Sequence, residues 1–210
     1  MIRVLIVDDH AIVRRGLRQI VAETGDIVVN GEAETGSQAI KTARQEDFDV
    51  MLLDISLPDK NGIEVLKQIK KEQPKLAVLM LSMHGEREFA VRALKAGASG
   101  YLTKQSAPAQ LVTAIRHVAA GKKYVSPALA EELANALGVD TEKPLHETLS
   151  DREFQTLRLI ASGKTLSDMS AELCLSPKTI SVYRSRLLEK LKLKNNSDLI
   201  RYAIKNRLAD

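Results

Sequence analysis

The sequence contains one cysteine, four histidines and no long hydrophobic run, and each scarcity excludes a class of protein. Cys174 has no partner for an intrachain disulfide, which is typical of a reducing cytoplasm. The histidines, at positions 10, 84, 117 and 146, show no metal-ligand spacing. No apolar run approaches the roughly 18 residues of a membrane span, and the first apolar run meets acidic residues too early for a secretory signal. We therefore expect a cytoplasmic protein that does not contact membranes.

Neither sign of charge dominates the 210 residues, whose net charge is only +4. The excess is local, because residues 145–210 carry 12 Lys and Arg against 8 Asp and Glu, whereas the first 144 residues are neutral. Residues 178–194 alone hold six basic side chains and one acid, Glu189. A neutral first part followed by a basic helix is typical of nucleic-acid binding, although a solvated helix face gives the same pattern.

Short apolar runs alternate with amphipathic stretches along the first 120 residues. The runs lie at 2–7, 26–31, 49–54, 76–81 and 99–103. The helical patterns between and after them lie near 11–24, 36–46, 62–72, 86–96 and 108–120. Strands that are apolar on both faces and alternate with helices predict an α/β fold, here a doubly wound five-stranded parallel sheet. Ligands of such sheets bind beyond the carboxyl ends of the strands.

The pattern changes after residue 121, and we predict a first domain over 1–121. Residues 122–147 lack a sustained apolar period, which indicates a linker with one short helical stretch near 127–137. Residues 148–210 are purely helical in pattern and predict a second, smaller all-α domain. Its four helices are expected near 151–162, 165–173, 177–192 and 196–207. Ser150 with Glu153 is a capping box, and Ser176-Pro177 is a typical helix start.

Five polar side chains follow the predicted strands and converge at one edge of the sheet: Asp8, Asp9, Asp54, Ser82 and Lys104. Carboxylates held together repel each other, and a divalent cation such as Mg²⁺ relieves the repulsion through oxygen ligands. A central carboxylate could also act as a nucleophile towards phosphorus. Lys104 and Ser82 would then stabilise the added charge. The alternative is that the aspartates merely end their strands.

The segments VLIVDDH, LLDISLPDKNGIEVL, LMLSMH and AGASGYLTK resemble the receiver domain of response regulators over about residues 1–120. The resemblance implies a flavodoxin-like fold, a sensor histidine kinase as partner and Asp54 as phosphoacceptor. It also implies that Asp8 or Asp9, with Asp54 and the Ser56 backbone carbonyl, holds Mg²⁺. Ser82, Lys104 and Tyr101 match the residues that switch on phosphorylation, although Tyr101 alone could be an ordinary strand-edge residue. Gln105 departs from the proline common after the lysine.

Two short helical patterns joined by CLSP have the layout of a helix-turn-helix. The second pattern keeps Ile180, Leu187, Leu188 and Leu191 on its inner side. The text from LSDREF to NNSDLI resembles the LuxR-type four-helix DNA-binding domain over about 149–207. Together with a receiver, this domain resembles the NarL/FixJ family of transcriptional regulators. The tyrosine at position 183 is a feature in which the sequence resembles the GacA/UvrY and BvgA branches of that family. Any short helical hairpin could mimic the spacing alone.

This likeness predicts a phosphorylation-controlled homodimer that binds inverted repeats in double-stranded promoter DNA. The predicted DNA contacts are Lys178, Thr179, Ser181, Val182, Tyr183, Ser185, Arg186 and Lys190. The predicted dimerisation residues lie on the last helix and are Leu199, Ile200, Ala203 and Ile204. Cys174 is expected to be a small buried residue.

Two rival functions differ in class from a DNA-binding regulator. An aspartate-nucleophile phosphatase would need a second carboxylate shortly after Asp54, where Ile55 and Ser56 supply none. We therefore expect no enzyme. A protein-binding helical end would lack the steep salt dependence of DNA binding.

Overall fold

The computed structural model describes residues 1–83, 87–106, 108–127, 129–131, 144–206 and 208. The chain forms two compact units, residues 1–138 and 139–210. The first unit is an α/β sheet protein and the second is helical, as the sequence predicts. In the part of the chain that is described, none of the helices is both long and apolar enough to cross a bilayer.

The first unit alternates strands and helices in the order that the apolar runs predict. The strands are β1 (Ile2–Val7), β2 (Ile27–Ala33), β3 (Val50–Asp54), β4 (Ala77–Ser82), β5 (Gly100–Thr103) and β6 (Tyr124–Val125). The helices are α1 (Ala11–Ala22), α2 (Gly36–Gln45), α3 (Gly62–Glu72), α4 (Arg87–Lys95) and α5 (Pro108–Ala119). All strand pairs are parallel, and the sheet order is β2-β1-β3-β4-β5-β6.

The sheet has six strands rather than the predicted five. The sixth, β6, lies within the segment interpreted as a linker and pairs Tyr124 with Gly100 and Val125 with Tyr101. Two residues are too few to show an apolar period, so the sequence pattern could not reveal this strand. Only the first residues of the helical stretch expected near 127–137 are described, and residues 132–137 lie outside the described part.

Burial explains why the central strands carry no alternating pattern. Every residue of β3 and β4 is buried, because both faces of these strands are covered by helices. One core cluster joins β1, β3 and β4 to Val21 of α1 and to Leu111, Ile115 and Val118 of α5. Helices α2, α3 and α4 pack against each other in succession. Helices therefore close both faces at the centre of the sheet, which leaves the carboxyl ends of the strands as the place for a site.

The second unit contains a 3₁₀ turn and four helices. The turn spans Leu145–Thr148, and the helices are α6 (Asp151–Ala161), α7 (Leu166–Leu173), α8 (Pro177–Lys190) and α9 (Asn196–Lys205). Helix α6 packs against both α8 and α9, and α7 packs against α8. The predicted capping box at Ser150 is present, and Ser176 caps α8 ahead of Pro177.

Cys174 is exposed, and the expectation of a buried residue is wrong. It ends α7 with φ of 50° in the left-handed region, while the neighbouring Leu173 is buried in the domain core. The reversal of the chain at this position turns the Cys174 side chain outward, where its Sγ lies 3.6 Å from the Ala171 carbonyl oxygen. Helical periodicity predicts orientation only within a helix, and Cys174 lies just past its end.

Candidate phosphoryl and DNA sites

The structure brings together the polar residues at the carboxyl ends of four strands. Asp8 follows β1, Asp54 ends β3, Ser82 ends β4, and Lys104 follows β5. Asp8 is fully buried, and Asp54 and Ser82 are 2% and 3% exposed. Asp9, also predicted for this site, is partly exposed beside Asp8. The sheet order places β1, β3, β4 and β5 side by side, so residues almost 100 positions apart in sequence share one site.

Lys104 lies between the two buried carboxylates. Its Nζ is 2.6 Å from Asp8 Oδ2 and 2.8 Å from Asp54 Oδ2, and its side chain is 6% exposed. Burial lowers the pKa of Lys104, but the charges and hydrogen bonds of Asp54 and Asp8 outweigh burial and raise the pKa above its usual value. The ammonium group is therefore charged and holds the two carboxylates together.

Burial raises the pKa of Asp54 to about 6. The Lys104 charge opposes this rise, the Asp8 charge adds to it, and the backbone N–H of Ser56 donates a hydrogen bond that favours the ionised form. One buried cation therefore does not fully compensate the carboxylates around Asp54. The Ser56 side chain is exposed, and the role predicted for the Ser56 carbonyl as a metal ligand stays a prediction.

The donor set fits a divalent cation. Asp8, Asp9, His10 and Asp54 each present a ligand atom, and these four atoms lie within 4.8 Å of one another. Lys104 pairs with Asp8 and Asp54, and Asp9 adds a third carboxylate to the cluster, so negative charge is in excess among these described residues. Carboxylate oxygens are the ligands that Mg²⁺ prefers.

Tyr101 lies in the site rather than at an exposed strand edge. It is 2% exposed, and its hydroxyl is hydrogen-bonded to Ser82. Burial raises the pKa of Tyr101 to about 12, and the nearby Asp54 charge contributes to the rise. The hydroxyl is therefore protonated and able to donate. The contact with Ser82 places Tyr101 within the site, and its role as a switch residue stays a prediction.

The loop after β3 has a residue requirement at Gly62. A Cβ atom at this position would lie 2.0 Å from the Asp54 carbonyl oxygen and 2.8 Å from Ile55 Cα. The Gly62 N–H donates to the Ile55 carbonyl oxygen at 2.8 Å, and Asn61 Oδ1 accepts from the Ile63 N–H at 2.7 Å. Close approach of α3 to β3 therefore depends on glycine.

Three further residues near the site carry no sequence pattern that assigns them to it: Asp59, His10 and Arg14. Asp59 caps α2, since its two carboxylate oxygens accept from the N–H groups of Gly36 and Ser37 at 2.7 and 2.8 Å. Burial raises the pKa of Asp59, but these hydrogen bonds outweigh burial and hold it below its usual value. Because Asp59 is 22 residues or more from its partners, no local pattern could have indicated the contact.

His10 and Arg14 extend the site from α1. The His10 ring places Nδ1 2.8 Å from Asp9 Oδ1 and 3.3 Å from Asp8 Oδ1, and its backbone N–H donates to Asp8 Oδ1. Arg14 donates to the Asp8 carbonyl oxygen at 2.8 Å and pairs with the carboxylates of Glu32 and Glu34. Their spacing of four residues at the start of a helix is the sequence signal that connects them.

Helix α8 presents the exposed polar face that was predicted for DNA contact. The exposed members of the predicted set are Lys178, Ser181, Val182, Ser185, Arg186 and Lys190, while Thr179 and Tyr183 are half-buried. On the inner side, Ile180 and Leu187 are fully buried, whereas Leu188 is half-buried. Val182 is 43% exposed, so it is not part of the domain core.

Lys190 has a partner within its own domain. Its Nζ lies 2.7 Å from Glu153 Oε2, and the same carboxylate accepts from the Ser150 N–H in the capping box. Burial raises the pKa of Glu153, but the hydrogen bonds from Lys190 and Ser150 outweigh it and lower the pKa. This ion pair joins α8 to the start of α6 and competes with the phosphate contact predicted for Lys190.

The last helix does not present all four predicted dimerisation residues. Leu199 and Ala203 are fully buried, Ile200 is half-buried, and Ile204 is 53% exposed. Leu199 and Ala203 lie four positions apart on the side of α9 that packs against α6. The part of the prediction that assigns Leu199 and Ala203 to a dimer surface is therefore wrong, because these side chains form the core of their own domain.

Two family models match the chain. The model of the response regulator receiver domain matches residues 4–116, and the model of bacterial regulatory proteins of the luxR family matches residues 147–203. The first match contains every residue of the carboxylate site, and the second contains the whole of α8. The division between the matches agrees with the two kinds of structure in the chain.

Full-length relatives combine the same two parts. The chain is 36% identical over 211 residues to response regulator GacA of Pseudomonas viridiflava, covering 100% of this chain and 99% of that protein. It is 37% identical over 212 residues to response regulator UvrY of Escherichia coli strain K12, covering 100% and 97%. RcsB from Salmonella enterica serovar Typhimurium, bound to promoter rprA in the presence of phosphomimetic BeF3⁻, has a TM-score of 0.66 at 29% identity, covering 96% of this chain and 98% of that one.

Proposed function

The chain belongs to the LuxR family of two-component response regulators, which are DNA-binding transcription regulators, and we propose that phosphorylation of Asp54 controls its binding to promoter DNA. The observation that carries this proposal is the buried Asp54–Lys104–Asp8 group at the carboxyl edge of the sheet. It combines a carboxylate nucleophile with a charged lysine that is positioned to respond to any change in that carboxylate.

A phosphorylated histidine of a sensor kinase, or a small phosphodonor, supplies the phosphoryl group. An Asp54 carboxylate oxygen attacks phosphorus, the P–N bond to the donor histidine breaks, and the imidazole leaves with the bonding electrons and takes up a proton. Mg²⁺ held by Asp8, Asp9 and Asp54 would supply positive charge that lowers the barrier to transfer. The Ser56 carbonyl completes this proposed ligand set.

The residues around Asp54 convert the new charge into a local rearrangement. The phosphoryl group adds about −1.5 to −2 charges at neutral pH. Lys104 pairs with the phosphoryl oxygens, and the Ser82 hydroxyl donates a hydrogen bond to them. Because Ser82 is also the hydrogen-bond partner of Tyr101, its new contact releases the tyrosine hydroxyl. Tyr101, which lies in β5, therefore changes its hydrogen bonding when Asp54 is phosphorylated.

The exposed face of α8 contacts the DNA. Ser181, Val182 and Ser185 are short side chains that can approach base edges in the major groove. Lys178 and Arg186 are exposed cations that contact phosphates, and the half-buried Thr179 and Tyr183 flank them. We propose that two copies bind the halves of an inverted repeat, since RcsB bound to a promoter is a structural relative.

Intact mass spectrometry after treatment with a small phosphodonor tests the acceptor. We expect the wild-type chain to gain one acid-labile phosphoryl adduct in the presence of Mg²⁺ and to lose the gain in excess chelator. Asp54→Asn should show no adduct, whereas Asp47→Asn, which changes an exposed aspartate near β3, should match the wild type. A complete adduct on Asp54→Asn would show that the acceptor lies elsewhere.

A second measurement links the adduct to DNA binding. The affinity of the full chain for a promoter library should rise with the fraction of chains that carry the adduct, and Asp54→Asn should show no rise. Affinity should also fall steeply with salt concentration, as phosphate contacts require. DNA binding that is independent of both adduct and salt would contradict the proposal.

A further inference from the structure

The last residue of α8 is held by a buried carboxylate of α6. Lys190 Nζ lies 2.7 Å from Glu153 Oε2, and the Glu153 side chain is only 3% exposed. The same oxygen accepts a hydrogen bond from the Ser150 N–H at 2.8 Å, in the capping box that begins α6. One buried carboxylate therefore ties the carboxyl end of α8 to the amino end of α6.

Lys190 lies at the boundary between the two faces of α8. It follows the exposed Arg186 by four residues and the fully buried Leu187 by three, spacings that place it beside both. To pair with a DNA phosphate instead, its Nζ would have to leave Glu153 buried without a counter-ion. Breaking a buried ion pair costs more than an exposed ionic contact contributes, so the pair with Glu153 is the favoured arrangement.

We infer that Glu153 and Lys190 form a positioning pair, which fixes the angle of α8 for sequence-specific DNA contact, and that Lys190 does not contact phosphate. The charge of Lys190 is then used within the domain, and the exposed cations of α8 supply the phosphate contacts. This inference rests on the proposed contact of α8 with DNA but not on phosphorylation of Asp54.

The angle of α8 matters because the residues predicted to contact bases lie far from Lys190. Ser181 lies nine residues before Lys190, which is about 14 Å along a helix that rises 1.5 Å per residue. A rotation of about 5° about the Lys190 end would therefore move Ser181 by about 1 Å. Hydrogen bonds to base edges tolerate only a few tenths of an ångström. The ion pair restrains this rotation, whereas long side chains that contact phosphates can follow it.

A phosphate contact by Lys190 predicts the opposite response to the loss of Glu153. If Glu153 merely held Lys190 back from the DNA, Glu153→Gln would release the lysine, raise the affinity and steepen the salt dependence by about one. If the pair positions α8, Glu153→Gln and Lys190→Gln both weaken binding, although they change the net charge in opposite directions. The sign of the Glu153→Gln effect therefore separates the two roles.

Fluorescence anisotropy with the full-length protein measures the affinity for a sequence selected from a promoter library and for random DNA over a series of salt concentrations. We expect Glu153→Gln and Lys190→Gln each to weaken binding of the selected sequence by about tenfold, with no further loss in the double variant, and to change binding of random DNA by less than about twofold. Glutamine at position 153 can still accept from the Ser150 N–H, so the capping box is retained. Lys190→Arg keeps the charge and should bind like the wild type.

Lys178→Gln is the matched control, because it replaces an exposed lysine at the other end of α8. It should weaken binding of selected and random DNA alike and lower the salt slope by about one, as the loss of a phosphate contact requires. Melting curves establish the temperature range in which every variant is folded.

Three results would overturn the inference. They are tighter DNA binding by Glu153→Gln, a salt slope lowered by about one in Lys190→Gln, and a lower melting temperature in both variants with unchanged affinity for the selected sequence. Every protein is compared with and without phosphodonor treatment. If Asp54 proved not to be phosphorylated, the affinities of the untreated proteins would still decide the role of Glu153 and Lys190.

Discussion

At the scale of single residues, Lys104 has the most consequential position. It is the cation that contacts both Asp8 and Asp54, and all three side chains are nearly inaccessible to water. Breaking a buried ion pair by removing one partner costs several kcal/mol, because the remaining charge stays buried without compensation. The lysine therefore stabilises the fold before any phosphoryl group arrives.

Replacement of Lys104 by methionine should make the stability of the protein depend on divalent ions. In chelator we expect Lys104→Met to lose about 3 kcal/mol of unfolding free energy, because two buried carboxylates face each other unpaired. Added Mg²⁺ should raise the melting temperature of this variant by more than that of the wild type. Lys122→Met, which changes an exposed lysine, serves as the control. An equal Mg²⁺ response in all three proteins would contradict the role assigned to Lys104.

A second residue-scale prediction concerns Val182 and Ser185. Both side chains are exposed on α8, and Val182 is 43% exposed, so neither contributes a fully buried side chain to the core. Replacing either should change the preferred DNA sequence by about 1–3 kcal/mol per altered base contact. Library selection on Val182→Ala and Ser185→Ala measures the preference, and a melting curve on each variant measures stability.

The two measurements on Val182→Ala separate recognition from packing. Exposure predicts an unchanged melting temperature together with a changed sequence preference. Leu187→Ala is the packing control, because Leu187 is fully buried on the opposite side of α8 and its truncation should lower the melting temperature. A destabilised Val182→Ala with unchanged preferences would assign Val182 to the core.

At the scale of elements, the loop between β3 and α3 sets the position of Asp54. Gly62 begins α3 where its backbone touches that of Asp54 and Ile55. A methyl group cannot fit at 2.0 Å from the Asp54 carbonyl oxygen, so either the helix or the acceptor strand must move. The conformation of the site is therefore specified by packing between elements as much as by charge.

Two glycine-to-alanine substitutions should have opposite effects on stability. We expect Gly62→Ala to cost about 2 kcal/mol or more through overpacking and to weaken Mg²⁺ binding. Gly16→Ala, in the middle of α1 with nothing within 4 Å of the added Cβ, should gain about 0.5–1 kcal/mol. Denaturant titration and equilibrium dialysis of both variants provide the measurements. A Gly62→Ala protein with unchanged stability and Mg²⁺ affinity would show that the loop adapts freely.

The elements differ in how far their sequence predicts them. The first five strands and their helices follow from apolar runs, and the clearest runs belong to β3 and β4, which are buried on both faces. Convergence of Asp8, Asp54, Ser82 and Lys104 follows from the parallel topology. Strand β6 could not be predicted in this way, since two residues are too few to show an apolar period. Its pairing with β5 brings the Tyr124 carbonyl oxygen to 2.6 Å from a Cβ built at Gly100, a contact that only the fold reveals.

Contacts between residues far apart in the chain likewise could not be predicted from the sequence. Lys190 looks like a free cation on a basic helix, yet its partner Glu153 lies 37 residues earlier. Leu199 and Ala203 have the spacing of an apolar surface stripe, but that spacing is the same for a stripe that faces the core or a second copy. Only the packing of α9 against α6 decides between them.

At the scale of the whole molecule, the two units hold two different sites. The first holds a buried site whose charge can change, and the second holds an exposed helix that can contact DNA. Among the described residues, the ion pairs around Lys104 lie within residues 1–138 and the face of α8 lies within 139–210. The proposed regulation therefore has to link two sites that are each described within one unit.

The exposed surface of α9 is expected to pair two copies of the chain on DNA. Ile204 is an exposed apolar side chain, at 53%, beside the half-buried Ile200, whereas Leu199 faces the core. Ile204→Glu should leave the domain folded and reduce cooperative binding to a two-half-site DNA by about tenfold, or 1.4 kcal/mol. Leu199→Glu should instead unfold the domain, because it buries an unpaired charge.

Binding of the phosphodonor-treated chain to DNA with one or two half-sites tests this surface, with melting curves for each variant. Lys205→Glu changes charge at the neighbouring exposed position and should preserve cooperativity, which separates the loss of an apolar contact from a general electrostatic effect. If Ile204→Glu bound two half-sites as cooperatively as the wild type, pairing would have to use another surface. Because Leu199 and Ala203 are already buried within their own domain, such a result would mean that the pairing surface lies outside α9.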